Sequence, residues 1–113
     1  MSEPCAFILH AHTRPEKSAE FEALFKRYVA PSRAEAGCIE YHMLRDAKDP
    51  TLFIFYEVWE SAEHLEAHSA LPHMRSFSEH RMDYLTCDFE IRPVHMLSPA
   101  SANRNAEMVE ANS

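Results

Sequence analysis

Glycine is almost absent: Gly37 is the single one in 113 residues. Loops whose backbone amides close around a phosphate need several glycines, so a nucleotide-phosphate cradle is excluded. If the chain must adopt a left-handed backbone anywhere, Gly37 is the residue to do it. Cysteine is scarce too. Cys5, Cys38 and Cys87 are odd in number and far apart, which suits neither a disulfide framework nor a Cys-x-x-Cys metal site. Each falls in a strand candidate and is expected to be a small buried apolar residue in a reducing cytoplasm. No apolar run approaches the roughly 20 residues that span a bilayer, and Met1-Ser2-Glu3 lacks the positive start of an export signal, so no membrane partner is expected. Basic residues are the minority, 11 Lys and Arg against 18 Asp and Glu for a net charge of −7, and they form no stripe that would hold nucleic acid.

Aromatic residues, by contrast, are plentiful: seven Phe, four Tyr and one Trp. Cys5 to His12 reads as a first strand, and Thr13-Arg14-Pro15-Glu16 as a capping box with an early proline. In the helix that follows, Phe21, Leu24, Phe25 and Tyr28 fall at i, i+3, i+4 and i+7, one apolar stripe. Pro31 is expected to end or bend it, and the chain to turn at Gly37. Cys38 to Arg45 is a second strand and Leu52 to Trp59 a third, separated by the polar loop Asp46 to Pro50. Ser61 is a natural N-cap for a helix carrying Leu65 and His68, interrupted near Pro72, with a further helical piece through Met74 and Phe77. Thr86 to Met96 returns to strand, where Pro93 is tolerated only at an edge or a bulge. Residues 1–97 form one domain on this reading, and 98–113, rich in Ala, Asn, Ser and Glu, a mobile tail.

The order is β-α-β-β-α-β. This is an α+β, ferredoxin-like sandwich: an antiparallel sheet with both helices on one face and the second and fourth strands at its edges. Along the third strand, side chains alternate between Leu52, Ile54, Tyr56, Val58 and Phe53, Phe55, Glu57, Trp59. Neither set suits water. The helices are expected to cover the mainly aliphatic set, which leaves Phe53, Phe55 and Trp59 exposed around a carboxylate; exchanging the faces would leave Leu52, Ile54 and Val58 to be covered instead. Either way a second copy packed sheet to sheet is the expected cover, with a lidding loop or the C-terminal tail as the rival.

Several stretches carry a family likeness: Ala36-Gly37-Cys38-Ile39-Glu40-Tyr41, Asp49-Pro50, Phe55-Tyr56-Glu57-Val58-Trp59-Glu60-Ser61, His64-Leu65-Glu66-Ala67-His68 and Pro72-His73-Met74. From about Phe7 to Leu97 the chain resembles antibiotic-biosynthesis-monooxygenase domain proteins, especially the small bacterial quinol monooxygenases. The resemblance implies a homodimeric α+β barrel and, in each subunit, a pocket between sheet and helices. In some members that pocket oxygenates quinols or polycyclic phenols without metal or flavin. Other relatives degrade heme or isomerise a phosphorylated sugar product. Phe53 and Phe55 stand in the strand where some oxygenase members carry a pocket asparagine.

The candidate catalytic pair is Glu57 and His68. Burial among aromatics raises the pKa of a carboxyl unless a partner holds it charged, and His68 matches the family's helix histidine. Tyr41 and Trp59 match the family's pocket aromatics, on which a flat aromatic substrate would stack. Phe55, His73 and His10 are taken with them as substrate contacts; His10 and His12 share one strand face, so one of them could reach the cavity. His64 and His68 have helical metal-ligand spacing, but Leu65 stands where a zinc protease has glutamate and no further ligand is near, so no metal is expected. Phe53, Phe55 and Trp59 leave no slot for heme. The activity that the resemblance implies is a cofactor-independent monooxygenation of a small aromatic substrate, a quinol or polycyclic phenol, by dioxygen. The alternatives are proton transfer or isomerisation on a small carbonyl compound, and a non-catalytic ligand-binding module.

Overall fold

The computed structural model describes residues 3–98. Its strands are β1 (Cys5–His12), β2 (Cys38–Arg45), β3 (Leu52–Trp59) and β4 (Glu90–Val94), and its helices α1 (Ser18–Arg33), α2 (Ala62–Ser69) and α3 (Pro72–Tyr84). The sheet runs β2-β3-β1-β4 with every pairing antiparallel. The fold is ferredoxin-like α+β, with β2 and β4 at the edges as expected. Pro93 pairs with Phe7 on edge strand β4, where its missing N–H costs no ladder bond. No helix among the described residues is long and apolar enough to cross a membrane. Apart from Ser98, the tail expected over 98–113 lies outside the described residues.

The helices cover the aromatic side of β3, not the aliphatic side. Phe53, Phe55, Glu57 and Trp59 are all buried beneath them, whereas Leu52, Ile54 and Tyr56 are half-buried on the opposite face. The assignment made from the sequence is thus reversed. The reason is bulk and polarity together. Phe21 and Phe25 of α1 and Phe77 of α3 interlock with the large rings, with centroids 4.6 Å apart for Phe21–Phe25, 4.7 Å for Phe25–Phe77 and 5.0 Å for Phe21–Phe53. Burying each such ring is worth about 2 kcal/mol. Glu57 also needs polar neighbours, and these lie on the helical side.

Local signals fared unequally. Ser61 caps α2, its hydroxyl accepting a hydrogen bond from the His64 amide, and Gly37 adopts φ +83°. At Gly37 a Cβ would also collide with the His64 ring, so the turn needs glycine twice over. The capping box at Thr13 does not form. Thr13 is buried, bridges to Leu85 and directs its hydroxyl to Ser18 and the Thr51 carbonyl, so it extends β1 rather than capping a helix. Pro15 instead opens a short 3-10 turn, Pro15–Lys17. Pro31 does not end α1, which continues to Arg33. β4 is shorter than expected; Cys87 lies before it and is exposed, while Cys5 and Cys38 are half-buried.

The sheet face away from the helices carries Ile8, Ile54, Tyr56, Val58 and, 48% exposed, Leu44. The chain after β4 crosses part of it, since the Tyr56 hydroxyl donates to the Met96 sulfur.

Candidate active site

Alternation along β3 puts Glu57 and Trp59 two residues apart on the helix-facing side, within reach of each other. The Trp59 indole Nε1–H donates to Glu57 Oε1 at 3.0 Å. Tyr41 of β2 is the cross-strand partner of Glu57, and both are buried. His68 enters from the last turn of α2, its ring tilted over Trp59 with centroids 4.6 Å apart and edge-on to Tyr41 at 5.8 Å. Four chemically capable side chains from β2, β3 and α2 thus meet under the helices.

His68 has a partner that the sequence reading missed. Its Nδ1 lies 3.0 and 2.9 Å from the two carboxylate oxygens of Glu35, which stands between α1 and β2, two residues before Gly37. Glu57 and His68 make no direct dyad of the kind expected: the Glu57 oxygen is engaged by Trp59 and His68 by Glu35, while the Glu57 and His68 charges still influence one another. One sequence signal pointed to Glu35. A carboxylate at the C-terminal end of a helix opposes the helix dipole and calls for a compensating partner.

Burial raises the Glu57 pKa above the ordinary 4.5; the Trp59 hydrogen bond and the His68 charge oppose this, and Glu35 adds to it. Burial, then the Glu57 charge, also pushes the Tyr41 phenol upward. The Cys38 thiol is raised to about 11 by burial first, with Glu57 and Glu35 adding to the effect. A thiol so placed is a poor nucleophile at neutral pH.

Glu57, Tyr41, His68 and Phe55 line a cavity of about 330 Å³ whose remaining wall is mostly apolar, including Phe7, Phe25, Leu65 and Phe89. Convergent polar groups in an apolar cavity are the usual signature of a small-molecule site. A wider groove of about 670 Å³ beside α1 and β2 contains Glu22, Lys26 and Arg45, but these charges pair with one another. It offers no buried titratable group comparable to Glu57, so the smaller cavity is the stronger candidate.

The other expected contacts fall elsewhere. Trp59 is fully buried behind the cavity and braces Glu57 and His68 instead of lining the space. His73 packs against Tyr28 at 4.5 Å and lines a separate recess with His80 and Tyr84. His10, with His12, is on the opposite face of the sheet, because its register partner Ile54 lies there and not with Glu57. His64, the other half of the helical histidine pair, bonds to Ser61 through Nδ1 while His68 bonds to Glu35.

A family model described as antibiotic biosynthesis monooxygenase matches residues 6–80. The chain belongs to the antibiotic biosynthesis monooxygenase family. Every element of the cavity named above except Phe89 falls within the matched span. Among similar proteins, an uncharacterized protein of Synechocystis is 33% identical over 90 residues, covering 80% of this chain; the chain spans only 61% of that relative's length. The probable quinol monooxygenase YgiN of Escherichia coli (strain K12) is 33% identical over 82 residues, 64% of this chain and 79% of that protein. A crystal structure of a Pseudomonas aeruginosa protein superposes with a TM-score of 0.78 at 33% identity, covering 87% of this chain and 98% of that one.

Proposed function

We propose that the chain is a cofactor-independent monooxygenase that oxidises a quinol or compact polycyclic phenol with dioxygen in the cavity bounded by Tyr41, Phe55, Glu57 and His68. The observation that carries this reading is the Glu35–His68 pairing beside an apolar cavity. With the Nδ1–H directed at Glu35, the neutral imidazole keeps its Nε2 lone pair as a base, and the carboxylate stabilises the imidazolium that forms. His68 takes the phenolic proton. The phenolate passes one electron to dioxygen, and the radical pair recombines at a ring carbon that bears hydrogen to give a peroxide anion, which takes the proton back from His68 and becomes a hydroperoxide. Loss of water leaves one oxygen atom in the product as a new carbonyl and the other in water. Glu57, inclined to hold a proton by its burial, hydrogen-bonds the substrate oxygens, gives its proton to the hydroxide that leaves as the O–O bond breaks, and recovers one from the ring carbon as the carbonyl forms. A volume of about 330 Å³ is near the lower end for small-molecule sites, which favours compact substrates.

The likeness to a probable quinol monooxygenase supports the substrate class. The test is turnover under heavy-isotope dioxygen, with one labelled atom expected in the product. Turnover under nitrogen would instead favour proton transfer on a carbonyl compound, a reading that the raised Glu57 pKa alone would suit. Binding without turnover under either gas would reduce the cavity to a ligand-binding module.

The working unit on this reading is a homodimer. Ile8, Ile54 and Leu44 leave apolar surface on the open sheet face that Met96 covers only in part, and a second copy is the self-complementary way to bury it.

A further inference from the structure

The open sheet face holds a second cluster of titratable side chains, separated from the cavity by the thickness of the sheet. Antiparallel pairing sets His10 of β1 directly opposite Glu90 of β4, and the two-residue period of β1 puts His12 on the same face as His10. One ring nitrogen from each histidine and one oxygen of Glu90 all lie within 4.8 Å of one another. The rings stand nearly edge to face, 6.3 Å between centroids and 80° between planes. Nε2 of His12 is in hydrogen-bond contact with Glu90 Oε1. The histidines are half-buried, and the Glu90 side chain is 64% exposed. Among the described residues this is the one group of three side chains with metal-ligating atoms so close together.

We propose that His10, His12 and Glu90 bind a divalent transition-metal ion of the zinc class. Two imidazole nitrogens and one carboxylate oxygen suit zinc, cobalt or nickel, whereas magnesium and calcium favour oxygen-only shells. Ligand bonds of roughly 2.0–2.2 Å place donors roughly 3–4 Å apart around a tetrahedral ion, so small side-chain rotations close a set that already spans 4.8 Å. In the single chain the exposed side of Glu90 leaves the remaining coordination to water. Asp49 stands close enough to His12 for their charges to interact, adding negative potential at this end of the sheet. Bound there, the ion cross-links β1 to β4, a five-residue edge strand paired to β1 alone. The site stands apart from the oxygenase reading and does not depend on it.

The test is calorimetric titration of the chelator-stripped full chain with zinc chloride, repeated with cobalt chloride to read visible absorption. Saturable uptake of one ion per chain is expected, with a rise in melting temperature from binding to the folded state. His10→Ala and Glu90→Gln should each weaken affinity at least tenfold, while His80→Ala, on the exposed side of α3, leaves it unchanged. Because Glu90 is at the surface, Glu90→Gln reads the site even if His10→Ala perturbs β1. Absence of saturable binding, or full affinity retained in both Glu90→Gln and the His10→Ala/His12→Ala double variant, would overturn the proposal.

Discussion

Both carboxylate oxygens of Glu35 face Nδ1 of His68, at 3.0 and 2.9 Å, across 33 residues of sequence. The pair joins the end of α1 to the end of α2 and fixes an imidazole at the wall of the cavity. Its first consequence is a tautomer. In the wild type the neutral His68 ring should carry its proton on Nδ1, read by nitrogen-15 NMR of the imidazole. Glu35→Ala should mix the tautomers and lower quinol turnover about 10- to 100-fold, as loss of an orienting partner does elsewhere. An Nε2–H tautomer in the wild type would remove the base from the proposed mechanism.

Glu57 makes a pH-dependent contribution to stability whose sign is fixed. Its folded pKa is raised above 4.5, so the native state holds the proton more tightly than the unfolded chain. The favourable contribution is fully present below pH 4.5 and is lost as pH rises through the folded value. Glu57→Gln cannot ionise, yet can still accept from the Trp59 indole. Its melting temperature relative to the wild type should therefore climb from about pH 4 to about pH 8. A difference that stays flat over that interval would contradict the burial argument.

Gly37 is a pinch point. Alanine there must adopt φ +83° and places a methyl group against the His64 ring. Left-handed strain of about 1–2 kcal/mol and overpacking of about 1–3 kcal/mol together predict a loss of about 2–5 kcal/mol in urea unfolding. A loss under about 0.5 kcal/mol, the level of an ordinary surface substitution, would show that the turn relaxes freely.

The open face predicts the oligomer. Wild type should sediment as a dimer at micromolar concentration, and Ile54→Glu, which sets an unpaired carboxylate in the proposed interface, should sediment as a folded monomer. Phe55→Glu puts the same charge into the ring cluster under the helices and should unfold the chain instead. A folded wild-type monomer would mean that the segment around Met96 is cover enough.

Much of this architecture was legible in the sequence. The element order, the edge placement of Pro93, the Ser61 cap and the left-handed Gly37 all rest on local chemistry, and the structure shows each of them. The two faces of β3 were not separable, because a period of two carries information only when one set is polar, and here Ile54 and Val58 oppose Phe53 and Phe55. Thr13 had every local feature of a cap, but its tertiary bridge to Leu85 prevailed. In the site, Tyr41, Phe55, Glu57 and His68 were named from sequence and meet at one cavity. Glu35 was missed because its contact with His68 spans 33 residues, and its one local signal, a carboxylate opposing the helix dipole, names no partner. His10 and His73 were misplaced because residue type alone does not say which side of the sheet, or of α3, a side chain takes.

The proton-accepting role of His68 is the centre of the account, and oxygen consumption tests it most directly. Metal-stripped, flavin-free wild type should consume dioxygen with at least one member of a broad quinol panel, faster than the quinol autoxidises. Folded His68→Ala should lose about 100- to 10,000-fold of that rate, the usual share of a general base. A wild type that accelerates no quinol, or a folded His68→Ala that retains the full rate, would contradict it.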